Sequence, residues 1–138
     1  SLIPILRFFH QYVGQIIMVT MVSKLALSSE PGWGVAFRNG ASIEVYQQSL
    51  FWLLSKGMPC DMRDITLSDF LGSVVVVCQF SLQKLVEFLD FNEIPYFLED
   101  DRVRWLLPSN ISNIYYIQWK KHTIELNNSE LYGGSILN

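Results

Sequence analysis

SVVVVCQF, at residues 73–80, contains four consecutive valines and no charged residue. A run without alternation of apolar and polar residues is typical of a β-strand that is buried on both faces. Ser81 follows as a natural helix N-cap, and leucines then recur at positions 82, 85 and 89 with helical spacing. The sequence therefore predicts a buried strand over 73–80 and a helix that runs from 82 to Asn92.

Two further strands are predicted after this helix. Tyr96–Glu99 and Arg102–Leu107 are both rich in residues that favour strands, and they are joined at Asp100-Asp101. Pro108 closes the second strand because proline cannot continue a hydrogen-bonded ladder. The order strand–helix–strand–strand predicts a compact unit from 73 to 107.

A hairpin is predicted upstream of this unit. Asn39-Gly40 lies between two β-prone runs in Trp33–Tyr46. An Asn-Gly pair is a strong hairpin signal because both residues of the turn need positive φ. A competing interpretation starts a helix at Ser42 instead. Both interpretations make 47–56 helical, with Gly57 as the residue that ends the helix.

The remaining segments are assigned from local composition. Runs of β-branched and aromatic residues favour strands, and proline near the start of a segment favours a helix. The assignments are a helix over 4–15, a strand over 16–27, a strand or a helical turn capped by Ser68 over 64–72, a strand over 113–126, and a poorly ordered or docked extension over 127–138.

These elements predict an α+β fold: a single compact domain over 1–138, built from a mostly antiparallel sheet with two or three helices packed on it. Half of the 138 residues are apolar and 17% are charged, against about 25% charged in an average domain. The mean hydropathy is +0.24. Either the core is large for this length, or some apolar surface is covered by a partner, an oligomer or a membrane.

The N-terminal part of the chain has an unusual composition. The first 29 residues contain no acidic residue. Within the apolar stretch from 2 to 22, the polar residues Arg7, His10, Gln11 and Gln15 return at helical spacing. The pattern leaves three interpretations open: an element packed on the core, a segment that contacts a membrane or another interface, and a targeting segment.

The charge is unevenly distributed along the chain. Residues 1–69 carry five acids and five bases, whereas residues 70–138 carry eight acids and five bases, so the net charge of −3 resides in the second half. A mildly acidic chain disfavours binding to duplex nucleic acid, which requires many cationic contacts.

The acidic residues are concentrated in the segment 87–101, EFLDFNEIPYFLEDD, which holds six carboxylates and no basic residue. Aromatic residues are interspersed among them, and an acidic surface with aromatic anchors suits capture of a cationic partner protein. The alternative is an ordinary solvated surface, because Asp is common in turns. The candidate partner-binding residues are Glu87, Asp90, Glu93, Tyr96, Glu99, Asp100 and Asp101, with Tyr96 as the anchor.

The function expected from this segment is that of a non-catalytic protein-binding domain. In its sharpest form it is a small cytoplasmic inhibitor of the immunity or antitoxin type, which occludes a cationic toxin or nuclease. Nucleic acid and membrane are not the first-choice partners. A further alternative is an oligomeric structural or accessory subunit, whose apolar surface is buried by copies of itself.

A basic and aromatic strip provides the rival hypothesis of single-stranded nucleic-acid binding, or of a nuclease, on strands between 102 and 122. Aromatic side chains stack on bases, and cations contact phosphates, on sheets of this kind. Pairing of the two arginines with the nearby acids is the simpler account of their presence. The candidate residues are Arg102, Arg104, Tyr116, Trp119, Lys120 and Lys121.

No pattern in the sequence calls for a metal or another cofactor. The acids at 61, 64 and 69 do not match the spacing of a calcium loop and are expected to act as caps and turn formers. The two histidines, His10 and His122, are too few and too distant from the cysteines to indicate a metal site. Cys60 and Cys78 allow one disulfide, but free structural thiols are the expectation.

Overall fold

The computed structural model describes residues 20–136. Within these residues, four helices pack on a six-stranded antiparallel sheet, which confirms the α+β class. The strands are β1 (Trp33–Asn39), β2 (Ser42–Tyr46), β3 (Ile65–Phe70), β4 (Ser73–Ser81), β5 (Tyr96–Leu98) and β6 (Arg102–Leu106). The helices are α1 (20–28), α2 (Gln47–Ser55), α3 (Leu82–Phe91) and α4 (Asn113–Ile136), with a short 3-10 helix at Met62–Asp64.

The strands are arranged in the order β3-β4-β2-β1-β6-β5. The chain therefore enters the sheet at its centre, with the hairpin of β1 and β2, and later strands extend it on both sides. β3 and β4 form one outer pair and β5 and β6 form the other. This order places β5 at one edge of the sheet and β3 at the opposite edge.

The predicted hairpin is confirmed, but its turn lies one residue later than the Asn-Gly pair suggests. Asn39 is the last residue of β1 and pairs with Ser42, so the turn consists of Gly40 and Ala41. Gly40 has φ of 66°, in keeping with hairpins that place glycine first in the turn. The competing helix from Ser42 is wrong, because β2 occupies 42–46 before α2 begins.

β4 and α3 agree with the prediction made from residues 73–92. Val75, Val76 and Cys78 are all essentially inaccessible to solvent, so β4 is buried on both faces. The Ser81 side chain accepts a hydrogen bond of 3.1 Å from the backbone N–H of Lys84, which caps α3. The ambiguous segment 64–72 contains strand β3, and Gly57 with φ of 94° ends α2 as predicted.

The predicted compact unit over 73–107 is not self-contained. Its strands β4 and β6 do not pair with each other, because β2 and β1 lie between them in the sheet. Helix α3 instead connects β4 to the far edge strand β5. The local order of elements was predicted from the sequence, but the crossing over the central hairpin depends on long-range pairing.

One side of the sheet, called here the core face, carries the main hydrophobic core. Helices α2 and α3 bury Leu50, Leu53, Leu85 and Leu89 against it. At its centre lies Trp105, which is completely buried and is opposite Gly34 in the pairing of β6 with β1. A Cβ at Gly34 would clash with the indole of Trp105. Glycine is therefore required here for close approach of the ring to the neighbouring backbone.

The other side of the sheet, the α1 face, has a smaller cluster. Val35, Phe37, Tyr46 and Val75 are buried there, with Met21 and Leu25 of α1 packed against them. The strand predicted over 16–27 is wrong for the described residues 20–27, which are helical. The β-branched composition favoured a strand, but packing of one side of a helix on this cluster determines the structure. The helix predicted over 4–15 lies outside the described residues.

The strand predicted over 113–126 is also wrong, because α4 covers this segment. Tyr116 and Thr123 are buried and Trp119 is half-buried, at the spacing of one helix face. The extension predicted from 127 continues α4 as far as Ile136. Among the helices of the described region, none has the length and apolar character needed to cross a membrane.

Candidate partner-binding surface

Helix α3 presents the first acidic residues of the segment 87–101. Leu85 and Leu89 are buried on the core face, so the opposite side of the helix is exposed and carries Glu87 and Asp90. These two residues are three positions apart and lie on neighbouring parts of the helix surface. The Gln83 side chain donates a hydrogen bond of 2.8 Å to Glu87. The carboxylate of Glu87 therefore has a neutral partner.

The end of α3 directs the chain toward the edge of the sheet. The Asn92 side chain donates a hydrogen bond of 2.8 Å to the carbonyl of Phe88, and the N–H of Ile94 donates one of 2.9 Å to the carbonyl of Leu89. Between them Glu93 adopts φ of 56°, a left-handed conformation that glycine or asparagine tolerates better. The Glu93 side chain is exposed at this corner.

Strand β5 is an edge strand with an open side. Within residues 20–136 it pairs with β6 alone. The N–H of Glu99 donates to the carbonyl of Arg102, and the carbonyl of Pro95 accepts from the N–H of Leu106. Pro95 and Glu99 therefore direct their hydrogen-bonding groups toward β6. Because successive residues of an antiparallel strand alternate in direction, Tyr96 and Leu98 direct their peptide groups away from the sheet. Such groups are available to a partner chain.

Large apolar side chains surround this edge and remain exposed. Phe91, at the end of α3, is 88% exposed, and Phe97 and Leu98 of β5 are 51% and 55% exposed. Tyr96, the anchor predicted from the sequence, is half-buried instead. Its hydroxyl donates a hydrogen bond to Asp90, which raises the pKa of Tyr96. Phe91 and Phe97 are therefore the better anchors, and no sequence pattern separates them from Tyr96.

The turn between β5 and β6 contains the acids that are neutralised within the chain. Glu99 forms an ion pair of 2.8 Å with Arg104, and Asp101 forms one of 2.9 Å with Arg102. The Arg102 guanidinium holds the pKa of Asp101 below its ordinary value. Arg38 of β1 adds a hydrogen bond of 2.7 Å to the carbonyl of Glu99. The simpler account of the two arginines is thus confirmed.

Arg104 also holds one of the exposed aromatic residues in place. Its guanidinium lies 4.8 Å from the ring centroid of Trp33 and 5.8 Å from that of Phe97. The two rings are themselves 5.8 Å apart. These contacts with a cation and a second ring restrict the rotation of Phe97. An anchor that is held before binding loses less conformational entropy when a partner docks.

Two predicted acids, Glu99 and Asp101, are thus tied to arginines, and four are not. Within the described residues, Glu87, Asp90, Glu93 and Asp100 form no ion pair with a Lys or Arg side chain. Residues 87–104 together hold six carboxylates and two arginines, a net charge of −4. We call the exposed residues of this region the β5 surface. It wraps around the edge of the sheet, because Phe97 lies beside Arg104 and Trp33 on the α1 face, whereas Leu98 and the residues of α3 lie on the core-face side. Its residues are Glu87, Asp90, Phe91, Glu93, Phe97, Leu98 and Asp100.

The residues of the rival basic and aromatic strip are divided between two sides of the sheet. Arg102 and Arg104 lie over Phe37 and Trp33 on the α1 face. Tyr116 and Trp119 pack instead on Phe51 of α2, with centroid distances of 5.9 and 5.5 Å.

Both lysines of this strip belong to α4, the helix that also carries Tyr116 and Trp119. Lys120 is half-buried, and burial lowers its pKa, while Lys121 is exposed. Tyr116 is buried, and burial raises its pKa to about 12. The six residues do not form a continuous stacking surface.

A cavity of about 320 Å³ lies between the turn before β1 and the start of α4. Its lining includes Glu30, Gln48, Asn110 and Tyr116. Among the described residues of this lining, Glu30 is the only acid and none is a base, so they provide no acid–base pair there. Across the described residues, no three His, Cys, Asp or Glu side chains converge as metal ligands would.

The acids of the 61–69 segment have structural positions. Asp61 caps the 3-10 helix and accepts hydrogen bonds from the backbone and the guanidinium of Arg63, which lower its pKa to about 2. Asp64 lies within that helix, and Asp69 is exposed on β3. The expectation of a cap is confirmed for Asp61.

No family model, curated protein or solved structure matches this chain.

Proposed function

We propose that this protein is a non-catalytic protein-binding domain whose β5 surface captures a cationic partner protein. The observation that carries the proposal is the exposure of Phe91, Phe97 and Leu98 among carboxylates that have no cationic partner in the described chain. Phe97 and Leu98 are consecutive residues of an edge strand, and Phe91 ends the helix that leads to it. Exposed apolar residues that gather at one edge of a fold often mark an interaction site.

The two kinds of residue have different roles in binding. Apolar anchors at the centre of an interface supply most of the affinity once water is excluded from them. Charges at the rim mainly increase the association rate and select partners of the opposite sign. On the β5 surface, Phe97 is the central anchor, and Glu93 and Asp100 lie at the two ends of β5. This arrangement fits a partner with an apolar pocket bordered by lysines or arginines.

A toxin that cleaves nucleic acid is the sharpest form of such a partner. A nuclease must present a cationic surface, because its substrate carries one negative charge per phosphate. An acidic domain that covers that surface would inhibit it without any chemistry of its own. The proposal accordingly includes an immunity or antitoxin type of role and a cytoplasmic location, where free thiols such as those of Cys60 and Cys78 persist.

The experiment compares acids at the two edges of the sheet. Asp100 lies beside β5 and Asp69 lies on β3, and both are exposed. Asp100→Lys and Asp69→Lys therefore make the same change in net charge at opposite edges. Wild type, both variants and Phe97→Ala are immobilised, and proteins retained from an extract of the native host are identified by mass spectrometry. The retained protein is then purified, and its affinity is measured at two salt concentrations.

The proposal expects a basic protein that binds wild type and Asp69→Lys equally. Phe97→Ala should weaken its binding by roughly 30-fold, as expected for loss of a central anchor. Asp100→Lys should weaken binding by roughly tenfold at low salt and by less at high salt. Equal binding by all four proteins, retention of only acidic proteins, or no specific retention would each refute the proposal.

A further inference from the structure

The two cysteines of the chain are in contact. The Sγ atoms of Cys60 and Cys78 are 3.4 Å apart, although the residues are 18 positions apart in sequence. Both are free thiols. A disulfide requires a separation of about 2.05 Å between the sulfurs, so a displacement of little more than 1 Å would bring them to bonding distance.

The two thiols differ in their surroundings. Cys78 is completely buried in the centre of β4, where it is opposite Ile65 of β3 and Val45 of β2. Cys60 is half-buried in the loop between α2 and the 3-10 helix. The loop sulfur is therefore the one that a molecule in solution can reach, and the strand sulfur lies directly behind it. An accessible thiol beside a protected one is the usual arrangement of an attacking and a resolving cysteine.

Charges and hydrogen bonds around the pair favour ionisation of the accessible thiol. The hydrogen bond with Cys78 lowers the pKa of Cys60, and the positive charge of Lys84 contributes in the same direction. Burial and the carboxylates of Asp61 and Asp64 act in the opposite direction but do not outweigh these contributions. The pKa of Cys78 is raised by the same hydrogen bond and by burial, so Cys78 keeps its proton.

We infer that Cys60 and Cys78 are a redox modification site, which low-molecular-weight disulfides such as oxidised glutathione convert reversibly into an intramolecular disulfide. The inference depends on the juxtaposition of the two sulfurs and on their unequal exposure. It does not depend on the proposed partner, because neither cysteine belongs to the β5 surface.

The reaction proceeds by two exchanges. The Cys60 thiolate attacks one sulfur of oxidised glutathione, which forms a mixed disulfide and releases one glutathione thiolate. The Cys78 sulfur then attacks the Cys60 sulfur and expels the second glutathione thiolate, which takes up the proton that Cys78 gives up. Two protein thiols are oxidised and one glutathione disulfide is reduced to two thiols. Excess reduced glutathione reverses both steps.

The bond would attach the loop after α2 to the centre of the sheet. In the reduced protein, the flanking backbone hydrogen bonds run from Met58 to Leu53 and from Asp64 to Asp61, on either side of Cys60. A disulfide would add a covalent link from Cys60, which lies between these two hydrogen bonds, to Cys78 of β4. Closing a loop of this length should raise the midpoint of thermal unfolding by about 10 °C.

The test uses the whole chain in buffers with graded ratios of reduced to oxidised glutathione. Remaining thiols are blocked with iodoacetamide in denaturant, so that the buried Cys78 also reacts, and the protein is digested with trypsin without reduction. Cleavage after Lys56, Arg63 and Lys84 separates the two cysteines into the peptides 57–63 and 64–84. The inference expects these peptides to appear as one linked species under oxidising conditions, and to separate with a gain of two hydrogens when reductant is added.

Two variants distinguish the roles of the cysteines. Cys78→Ala should accumulate the mixed disulfide of Cys60 with glutathione, because the resolving sulfur is missing. Cys60→Ser should leave Cys78 unmodified by glutathione, because that sulfur is buried. Circular dichroism checks that each variant is folded, and the wild-type measurement remains decisive if one is not. The inference is wrong if the wild-type protein stays fully alkylated at both cysteines, stops at a glutathione adduct, or forms only disulfides between two chains.

Discussion

The centre of the core face and the β5 surface both contain large aromatic residues, yet the fold treats them in opposite ways. Trp105 is completely buried because Gly34 leaves room for its ring and α2 and α3 cover the sheet around it. Phe91 and Phe97 lie where the sheet ends and are at least half exposed. The comparison shows that an aromatic residue suggests binding only where the described fold leaves it uncovered.

Truncation of one aromatic residue in each region separates the buried core from the exposed edge. Trp105→Ala should reduce the free energy of unfolding by about 3–5 kcal/mol, because it leaves a large cavity in a packed core. Phe91→Ala is the matched control and should change the free energy of unfolding by less than about 0.5 kcal/mol. Urea unfolding followed by circular dichroism measures both. Similar losses for the two variants would mean that Phe91 is packed and that the β5 surface is misassigned.

Gly34→Ala tests whether the missing side chain at this position makes room for Trp105. The added methyl group would meet the indole of Trp105, and overpacking of this kind costs about 1–3 kcal/mol. The same substitution in a Trp105→Ala background should cost less, because the cavity accepts the methyl group. Urea unfolding of the two single variants and the double variant gives the coupling energy. Additive effects would show that Gly34 does not accommodate the ring.

The cap of α3 positions the helix that carries Glu87 and Asp90. Ser81→Ala removes the acceptor for the N–H of Lys84 and should lower the free energy of unfolding by about 1 kcal/mol. Ser81→Asp keeps an acceptor and should restore most of the loss. If Ser81→Ala is as stable as the wild type under the same urea titration, the cap does not hold α3 in place.

The smallest expected effect concerns the turn beside β5. The pKa of Asp101 is lowered by Arg102, so the charged carboxylate stabilises the folded state above the ordinary aspartate pKa of about 3.9. This contribution is lost as the pH falls through the lowered pKa. Because the Asp101 side chain is 68% exposed, the effect should be below about 1 kcal/mol.

The measurement for this turn is the difference in stability between wild type and Asp101→Asn as a function of pH. The difference should be present at pH 6 and should shrink as the pH approaches 2. A difference that is the same at both pH values would show that the ion pair with Arg102 does not contribute to stability.

Local signals in the sequence predicted much of the fold, and long-range packing determined the rest. The valine run of β4, the Ser81 cap and the two strands around 100 were identified because neighbouring residues determine them. The segment 113–126 was misassigned because its aromatic and β-branched residues favour a strand, while its burial follows helical spacing. The crossing of α3 to the far edge depends on which strands pair, and no local pattern encodes that.

The candidate site was predicted in outline only. Composition locates its acidic segment and also predicts that Arg102 and Arg104 pair with nearby acids. The sequence did not show which acids those arginines neutralise, nor that Phe91 and Phe97 are more exposed than Tyr96. These properties depend on the position of β5 at the edge and on the place of Trp33 beneath Arg104.

Carboxyl labelling of the protein, alone and bound to its purified partner, shows which edge of the sheet the partner covers. Glycine ethyl ester coupled by carbodiimide marks accessible carboxylates, and trypsin then releases the peptide 85–102, which contains all six acids of the segment. We predict that the partner protects Glu93 and Asp100 in this peptide and leaves Asp64 and Asp69, in the peptide 64–84, fully reactive. Protection of the 64–84 peptide with 85–102 unchanged would contradict the claim that the β5 surface is the docking site.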